Sequence, residues 1–254
     1  MSAFSLTAYL DRIRFSGGTE PNYDTLYKLH TGHTFNIPFE NLDVANKLPI
    51  SLALDALFDK LVTRNRGGYC FEMNGLFSHV LQTVGFAVTP LLARTAFAPG
   101  KYSAKLHEVL LVEFEGSRYL ADVGYGNNGI AAPLPLVTRQ EHKQFADTYR
   151  FQLDADAGYI LERKEGAYWL PMYAFTTEPC IPEDYEVSNH YTATHPSSFF
   201  RMAKFATMPT PEGRITLMGG TFKTVANGET TEIAVSSDEE FDKILLERFN
   251  LKIS

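Results

Sequence analysis

A glycine pair leads into a cysteine and a helical pattern in RNRGGYCFEMNG, which runs from Arg64 to Gly75. Gly67 and Gly68 allow a tight approach of the chain, because glycine has no Cβ. Cys70 follows at the first turn of a predicted helix, and Gly85 is a typical helix stop. The helix is indicated by apolar residues at helical spacing, namely Leu76, Phe77, Val80, Leu81 and Val84.

The position of Cys70 favours a reactive thiolate. The first turn of a helix exposes unpaired backbone amides and the positive end of the helix dipole, and both stabilise negative charge on sulfur. Arg64 and Arg66 are expected to add positive potential. A thiol whose pKa is lowered in this way is nucleophilic at neutral pH, and the amide of Phe71, or of Cys70 itself, is a candidate oxyanion donor. The competing interpretation is a buried packing cysteine, which composition alone favours.

Two later strands offer a general base and a group to orient it. LHEVLLV places His107 at the head of one strand, and SRYLADVGYG carries Asp122 in the next. Residues 115–117 between them form a hairpin signal. A two-residue turn puts His107 opposite Gly124 or Gly126 and Asp122 on the same face as His107, whereas a three-residue loop without a bulge separates them. A strand-end histidine and a turn aspartate are the competing interpretations.

The chain divides into a helical part, a strand-rich part and a mixed end. Helical spacing predicts helices over residues 6–13, 24–30, 55–62, 70–85 and 238–250, the last with Ser237 as N-cap. Short β-rich runs predict strands over residues 88–93, 108–114, 119–123, 149–153, 159–163, 199–205, 214–218, 221–225 and 231–234. This order of elements predicts an α+β fold with a barrel or sandwich rather than alternating parallel units.

Composition narrows the possible functions. The 254 residues are 44% hydrophobic and 21% charged, as in ordinary globular proteins, and the net charge of -7 argues against a nucleic-acid partner. The two cysteines, Cys70 and Cys180, form no disulfide framework, which is typical of a reducing compartment. The first residues have no secretory pattern, and no apolar run reaches the roughly 18 residues of a membrane helix. The expected location is therefore cytoplasmic, without membrane contact.

The histidines do not predict a metal site. His30 and His33 are three residues apart and share a helix face, but no nearby cysteine or close aspartate pair completes a ligand set. His79 is expected in the middle of a helix. His190 and His195 are expected in a solvated loop rich in threonine and serine.

Several motifs resemble those of the arylamine N-acetyltransferases. They are IPFENL (residues 37–42), RGGYCFEMNGLF (66–77), His107 and DVGYG (122–126), with a looser match at HPSSFF (195–200). The resemblance implies three parts: a helical bundle over residues 1–85 carrying the nucleophile, a β-barrel over 86–195 carrying His107 and Asp122, and an α/β lid over 196–254. It places a Cys-His-Asp triad at the junction of bundle and barrel.

The resemblance also implies a ping-pong reaction catalysed by Cys70, His107 and Asp122. Cys70 attacks acetyl-CoA, the co-substrate, coenzyme A leaves, and an arylamine, arylhydrazine or N-hydroxyarylamine accepts the acetyl group, with no metal. The candidate substrate-binding residues are Phe39, Phe71, Gly124, Tyr125, Gly126 and Phe200. The family more often has phenylalanine at position 125, so the hydroxyl of Tyr125 is expected to alter acceptor preference. The oligomeric state is not predicted.

Other functions remain open. An amide synthase or another acyltransferase of the same fold would use a carrier-bound acyl chain. A thiol hydrolase or transglutaminase-like enzyme would use the same triad without coenzyme A. A non-catalytic binding protein would have an inert thiol, and the presence of Cys70, His107 and Asp122 together argues against it.

Overall fold

The computed structural model describes residues 3–252 and contains helices and two antiparallel sheets. The α-helices are α1 (Leu6–Arg12), α2 (Tyr23–Asn36), α3 (Leu42–Ala45), α4 (Leu54–Phe58), α5 (Cys70–Val84), α6 (Pro182–Thr194) and α7 (Asp238–Phe249). A π-helical turn, Asp59–Thr63, continues α4, and a 3-10 turn spans Phe199–Arg201. None of the described helices has the length and apolar character needed to cross a membrane.

Both sheets are wholly antiparallel. Their strands are β1 (Phe39–Glu40), β2 (Ala87–Ala98), β3 (Lys101–Phe114), β4 (Ser117–Ala121), β5 (Leu134–Pro135), β6 (His142–Gln144), β7 (Asp147–Asp154), β8 (Gly158–Glu165), β9 (Tyr168–Phe175), β10 (Phe205–Thr210), β11 (Gly213–Met218), β12 (Thr221–Ala226) and β13 (Glu229–Ala234). The larger, barrel-like sheet has the order β5-β4-β3-β2-β9-β8-β7-β6, and the smaller has β1-β10-β11-β12-β13. Helices, a barrel-like sheet and a second sheet packed with α7 confirm the predicted α+β class.

The helix ends follow the predicted signals. Cys70 is the first residue of α5, and Gly85 ends that helix in the left-handed region at φ 110°. The Ser237 side chain accepts a hydrogen bond from the Glu240 amide at the start of α7. These caps satisfy backbone groups that a helix leaves unpaired at its ends.

The hairpin between β3 and β4 has the two-residue turn that brings His107 and Asp122 to one face. Phe114 pairs with Ser117, and the register continues to Leu110 opposite Ala121. Glu115 and Gly116 have φ values of 49° and 74°, as a tight hairpin turn requires. The pairing ends at Leu110 and Ala121, and the 2.8 Å contact between His107 Nε2 and Asp122 Oδ2 confirms that the two side chains share a face.

Helix α6 was not predicted, and His190 lies within it rather than in a loop. Three of the four buried residues of α6 are polar, namely Ser188, Asn189 and Thr192, and the fourth is Ala193, so no apolar periodicity marks the helix. Its start does carry a local signal, because the Asp184 carboxylate accepts the Ile181 amide at 3.0 Å.

The strand predicted over residues 199–205 is wrong. The chain forms a 3-10 turn at Phe199–Arg201, and β10 begins only at Phe205. Phe199, Phe200 and Phe205 pack on one another with ring centroids 5.7 to 6.0 Å apart. Aromatic residues have a high β-propensity, which suggested a strand. In the structure the three rings pack on one another instead of forming the face of a sheet.

Each layer of the molecule has its own hydrophobic cluster. One surrounds α5 and includes Cys70, a second fills the barrel-like sheet, and a third lies between α7 and the smaller sheet. Strand β1 connects the first layer to the third, because Phe39 pairs with Thr207 of β10. The division of the chain at residues 85 and 195 stays a prediction.

Candidate active site

Cys70 is buried at the start of α5. Its Sγ lies 3.9 Å from the carbonyl oxygen of Leu106, the residue before His107. Burial raises the pKa of the Cys70 thiol, and the charges of Glu108 and Asp122 raise it further, although hydrogen bonds from the backbone amides of Glu108 and Phe71 oppose them. The thiol is therefore protonated at rest and needs a base to ionise.

Arg64 and Arg66 do not lower the pKa of Cys70 in the way the sequence suggested. Arg64 is half exposed and pairs with Asp59 at 2.9 Å. Arg66 is buried and donates to Glu40 at 2.7 and 2.9 Å and to Asp43 at 3.0 Å. Carboxylates close to each guanidinium cancel its potential at the sulfur.

A buried network of charges supports the loop that leads into α5. Lys60 Nζ lies 2.6 Å from Glu72 Oε1 and 2.7 Å from Asp43 Oδ2. The other oxygen of Glu72 accepts the amide of Tyr69, the residue before Cys70. The network therefore connects α3, the π-helical turn and the first turn of α5, and so holds the cysteine in place.

Substituting Lys60 by methionine is expected to lower the free energy of unfolding by about 3–5 kcal/mol, because the substitution leaves the buried Glu72 carboxylate without its cationic partner. Urea unfolding measures this change. Lys243→Met, at an exposed pair in α7, is the control and is expected to change stability by less than about 0.5 kcal/mol. Equal losses in the two variants would contradict a structural role for the network.

His107 and Asp122 form a buried pair. His107 Nε2 lies 2.8 Å from Asp122 Oδ2, so in neutral His107 the Nε2 proton faces the carboxylate and Nδ1 carries the lone pair. Burial by itself would raise the pKa of Asp122, but His107 and hydrogen bonds from His107, Asn74 and Gly124 hold it below its usual value. The carboxylate therefore stays ionised at neutral pH and fixes the imidazole.

Two further side chains bind Asp122, and the sequence analysis did not identify them. Asn74 Nδ2 donates to Asp122 Oδ1 at 3.0 Å, and the Tyr173 hydroxyl donates to Oδ2 at 2.9 Å. Asn74 lies one helical turn after Cys70 in the cysteine motif, so its spacing could have revealed it. Tyr173 lies in β9, which was not predicted, and only the tertiary contact identifies it.

Cys70 and His107 line one large cleft between the barrel-like sheet and the smaller sheet, with a volume of about 1380 Å³. Four of the predicted substrate-binding residues also line it: Phe39, Gly124, Tyr125 and Phe200. Gly126 lines a small adjoining cavity beside Phe39. A Cβ on Gly124 would lie 2.8 Å from the Cα of Cys70, so only glycine lets this segment pass the start of α5.

Phe71 differs from the other predicted substrate-binding residues. Its side chain is 1% exposed, packs against Tyr69 at a ring distance of 5.6 Å, and does not line the cleft. Phe71, the second residue of α5, turns its side chain to the helical core, and only its backbone amide is directed to the sulfur of Cys70. In its place, Phe199 and Phe205 add aromatic surface to the cleft.

The hydroxyl of Tyr125 donates to the carbonyl oxygen of Met172 in β9 at 3.2 Å. The ring stands edge-on to His107, with centroids 5.2 Å apart. This hydrogen bond occupies the hydroxyl and fixes the ring against the barrel-like sheet. The part of Tyr125 that meets the cleft is therefore mainly its ring.

Known proteins share the sequence pattern and the fold of this chain. A family model described as N-acetyltransferase matches residues 22–254. An arylamine N-acetyltransferase of Mycobacterium tuberculosis is 37% identical over 258 residues, which cover 99% of this chain and 91% of the relative. The solved M. tuberculosis structure of that name has a TM-score of 0.92 at 37% identity, covering 98% of this chain and 94% of that one. A Mycobacterium marinum arylamine N-acetyltransferase in complex with CoA has a TM-score of 0.91 at 35% identity, covering 97% and 93%.

Proposed function

The chain belongs to the arylamine N-acetyltransferase family and is an acyltransferase, and from this premise we propose that it transfers acetyl groups from acetyl-CoA through a thioester on Cys70. The proposed acceptors are arylamines, arylhydrazines and N-hydroxyarylamines. The observation that carries the proposal is the buried His107–Asp122 pair, at 2.8 Å, whose His107 lines the same cleft as Cys70.

In the proposed first half-reaction, His107 Nδ1 takes the proton of Cys70 while Asp122 stabilises the imidazolium. The thiolate attacks the thioester carbon of acetyl-CoA, and backbone amides at the start of α5 are candidates to hold the oxyanion. The C–S bond to coenzyme A then breaks, and the imidazolium returns the proton to the departing sulfur. A thiol with a raised pKa suits this scheme, because the negative charge forms only when the base is in place.

In the proposed second half-reaction, the amine nitrogen attacks the acetyl carbon of the thioester and His107 accepts the proton that the nitrogen loses. The sulfur of Cys70 leaves and is reprotonated. Water must be kept from the thioester, and the rings of Phe39, Phe200 and Phe205 supply an apolar wall beside Cys70. A flat aromatic acceptor fits such a wall better than an aliphatic amine.

The proposal extends to the setting of the reaction. Both cysteines are free thiols, which suits a reducing cytoplasm, and small aromatic amines or hydrazines together with coenzyme A are the proposed partners. The three-part division at residues 85 and 195 is proposed with it. We also propose that Tyr125 affects the choice of acceptor. Its hydroxyl is engaged by Met172, so the effect comes from the position of its ring.

The test is to mix the purified protein with acetyl-CoA in the absence of an amine and to record intact mass and a peptide map. We expect one acetyl group on Cys70, and its transfer to an aminobenzoate or an aryl hydrazide added afterwards. Rapid alkylation of Cys70 by iodoacetamide without any acetylation would contradict the proposal. That result would favour the amide synthase or the hydrolase, which use a different acyl donor.

A further inference from the structure

Asp122 is held through its backbone as well as through its carboxylate. Its N–H donates to Nε2 of His30 at 3.1 Å, across 92 positions of sequence. His30 lies in α2, is fully buried, and stands edge-on to Phe77 of α5. A residue outside every motif of the site is thus in direct contact with the carboxylate residue of the proposed triad.

The contact determines the tautomer of His30. A backbone N–H is always a donor, so Nε2 must be the acceptor and the ring proton must lie on Nδ1. Nδ1 lies 3.2 Å from the carbonyl oxygen of Ala131, to which it donates. Burial lowers the pKa of His30 to about 4, so the ring is neutral at physiological pH.

These two hydrogen bonds join both ends of one segment, residues 122–131, whereas a third contact, of 3.4 Å between Nδ1 and Thr34 Oγ1, stays within α2. This segment leaves β4 at Asp122, passes Gly124 and Tyr125 on the cleft wall, and reaches Ala131. We propose that His30 is a positioning residue for the proposed acetyl transfer, because its neutral ring clamps this segment and so fixes Asp122 and the cleft wall. The inference rests on the proposed function of the triad.

His33 provides an internal comparison. It lies one turn further along α2, is equally buried, and also stands edge-on to Phe77, at 5.4 Å. Its Nδ1 is 2.7 Å from the Tyr9 hydroxyl in α1, and its Nε2 has no hydrogen-bond partner within residues 3–252. The hydrogen bond to Tyr9 supports the helical layer and not segment 122–131, which makes His33→Asn a matched control.

Two substitutions distinguish the effect of the Nε2 hydrogen-bond acceptor of His30 from the effect of its side-chain volume. His30→Asn keeps a donor near the place of Nδ1 but removes the acceptor for the Asp122 amide. His30→Gln reaches further and can offer its carbonyl oxygen to that amide. Each variant is assayed for the single-turnover rate of Cys70 acetylation, the KM for acetyl-CoA, the rate of Cys70 alkylation by iodoacetamide, and the melting temperature.

We expect His30→Asn to slow acetylation by about 10- to 100-fold, since small displacements of catalytic groups have effects of this size. His30→Gln keeps the bond to the Asp122 amide and loses the donor to Ala131, so it should recover part of the rate. His33→Asn should lower the melting temperature without slowing acetylation of the folded protein. Acetylation of His30→Asn at the wild-type rate, or His30→Gln as slow as His30→Asn, would overturn the inference.

The remaining outcomes are also informative. If wild-type Cys70 is alkylated but never acetylated, the proposed function fails, and the alkylation rates of the same variants still test whether His30 positions the triad. If His30→Asn does not fold, ¹⁵N NMR of His30 in the wild-type protein tests the inference, because it shows which ring nitrogen carries the proton. Nδ1 protonated throughout pH 5–8 supports the clamp, and a proton on Nε2 excludes it.

Discussion

Replacing Cys70 by alanine is expected to abolish acetyl transfer, by about 10⁴-fold or more, and to leave the fold intact. Loss of a nucleophile removes the covalent route entirely, as in other enzymes that use one. The sulfur contacts the carbonyl oxygen of Leu106 at 3.9 Å and the backbone amides of Glu108 and Phe71, and alanine retains the Cβ, so packing changes little. Product formation with acetyl-CoA and an aminobenzoate measures activity, and circular dichroism measures folding.

Cys180→Ala is the matched control for this prediction. Cys180 is the other free cysteine of the chain, is partly buried, and does not line the cleft. The Cys180 variant should keep its activity and its single site of acetylation. If Cys70→Ala still forms product after contaminating enzyme has been removed, the proposed mechanism is contradicted.

Asp122→Asn is expected to lower kcat by about 10⁴-fold, the size of effect seen when an asparagine replaces the aspartate of a triad. The two carboxylate oxygens accept four hydrogen bonds, from His107, Tyr173, Asn74 and the Gly124 amide. An asparagine offers only one acceptor oxygen, so its NH₂ group must face two of these donors. The imidazole then loses both its orientation and the charge that stabilises its protonated form.

The same substitution should destabilise the fold, by about 1–3 kcal/mol for each buried donor left unpaired. Because the folded-state pKa of Asp122 is lowered, its ionised form stabilises the native state above about pH 4, and this contribution is lost as the pH falls through the folded pKa. The difference in unfolding free energy between wild type and Asp122→Asn should therefore narrow at acid pH.

Asp242→Asn, at an exposed position of α7, is the control for both measurements and should resemble wild type. Steady-state kinetics and urea unfolding between pH 3 and pH 8 give the two readouts. Retention of more than about a tenth of the activity by Asp122→Asn would show that the carboxylate does not orient His107 in the reaction.

The elements that sequence analysis located correctly are those with local causes. The helix at Cys70 has a glycine approach, apolar residues at helical spacing and a glycine stop within a few turns of one another. The hairpin carrying His107 and Asp122 depends on the turn at Glu115-Gly116, and strand alternation carries that register to the site. Such signals act between residues close in the chain, so they can be detected without knowing the fold.

The errors have a common physical origin. Helix α6 buries mainly polar residues, of which Ser188 donates to the Lys105 carbonyl oxygen and Asn189 to that of Ile50, so it lacks the periodicity that reveals most surface helices. The segment at Phe199 has β-propensity, but its rings are recruited to the aromatic cluster of the cleft. In both cases the surroundings overrode the local preference of the residues.

The sequence alone thus located Cys70, His107 and Asp122, the residues of the proposed triad, and the two local elements that present them. Only the tertiary structure showed what surrounds those residues: carboxylates that neutralise Arg66, the Tyr173 and Asn74 bonds to Asp122, and the contact of His30 with its backbone. These interactions join segments far apart in the chain. They depend on how helices and sheets pack, and packing is a property of the whole fold that no local pattern contains.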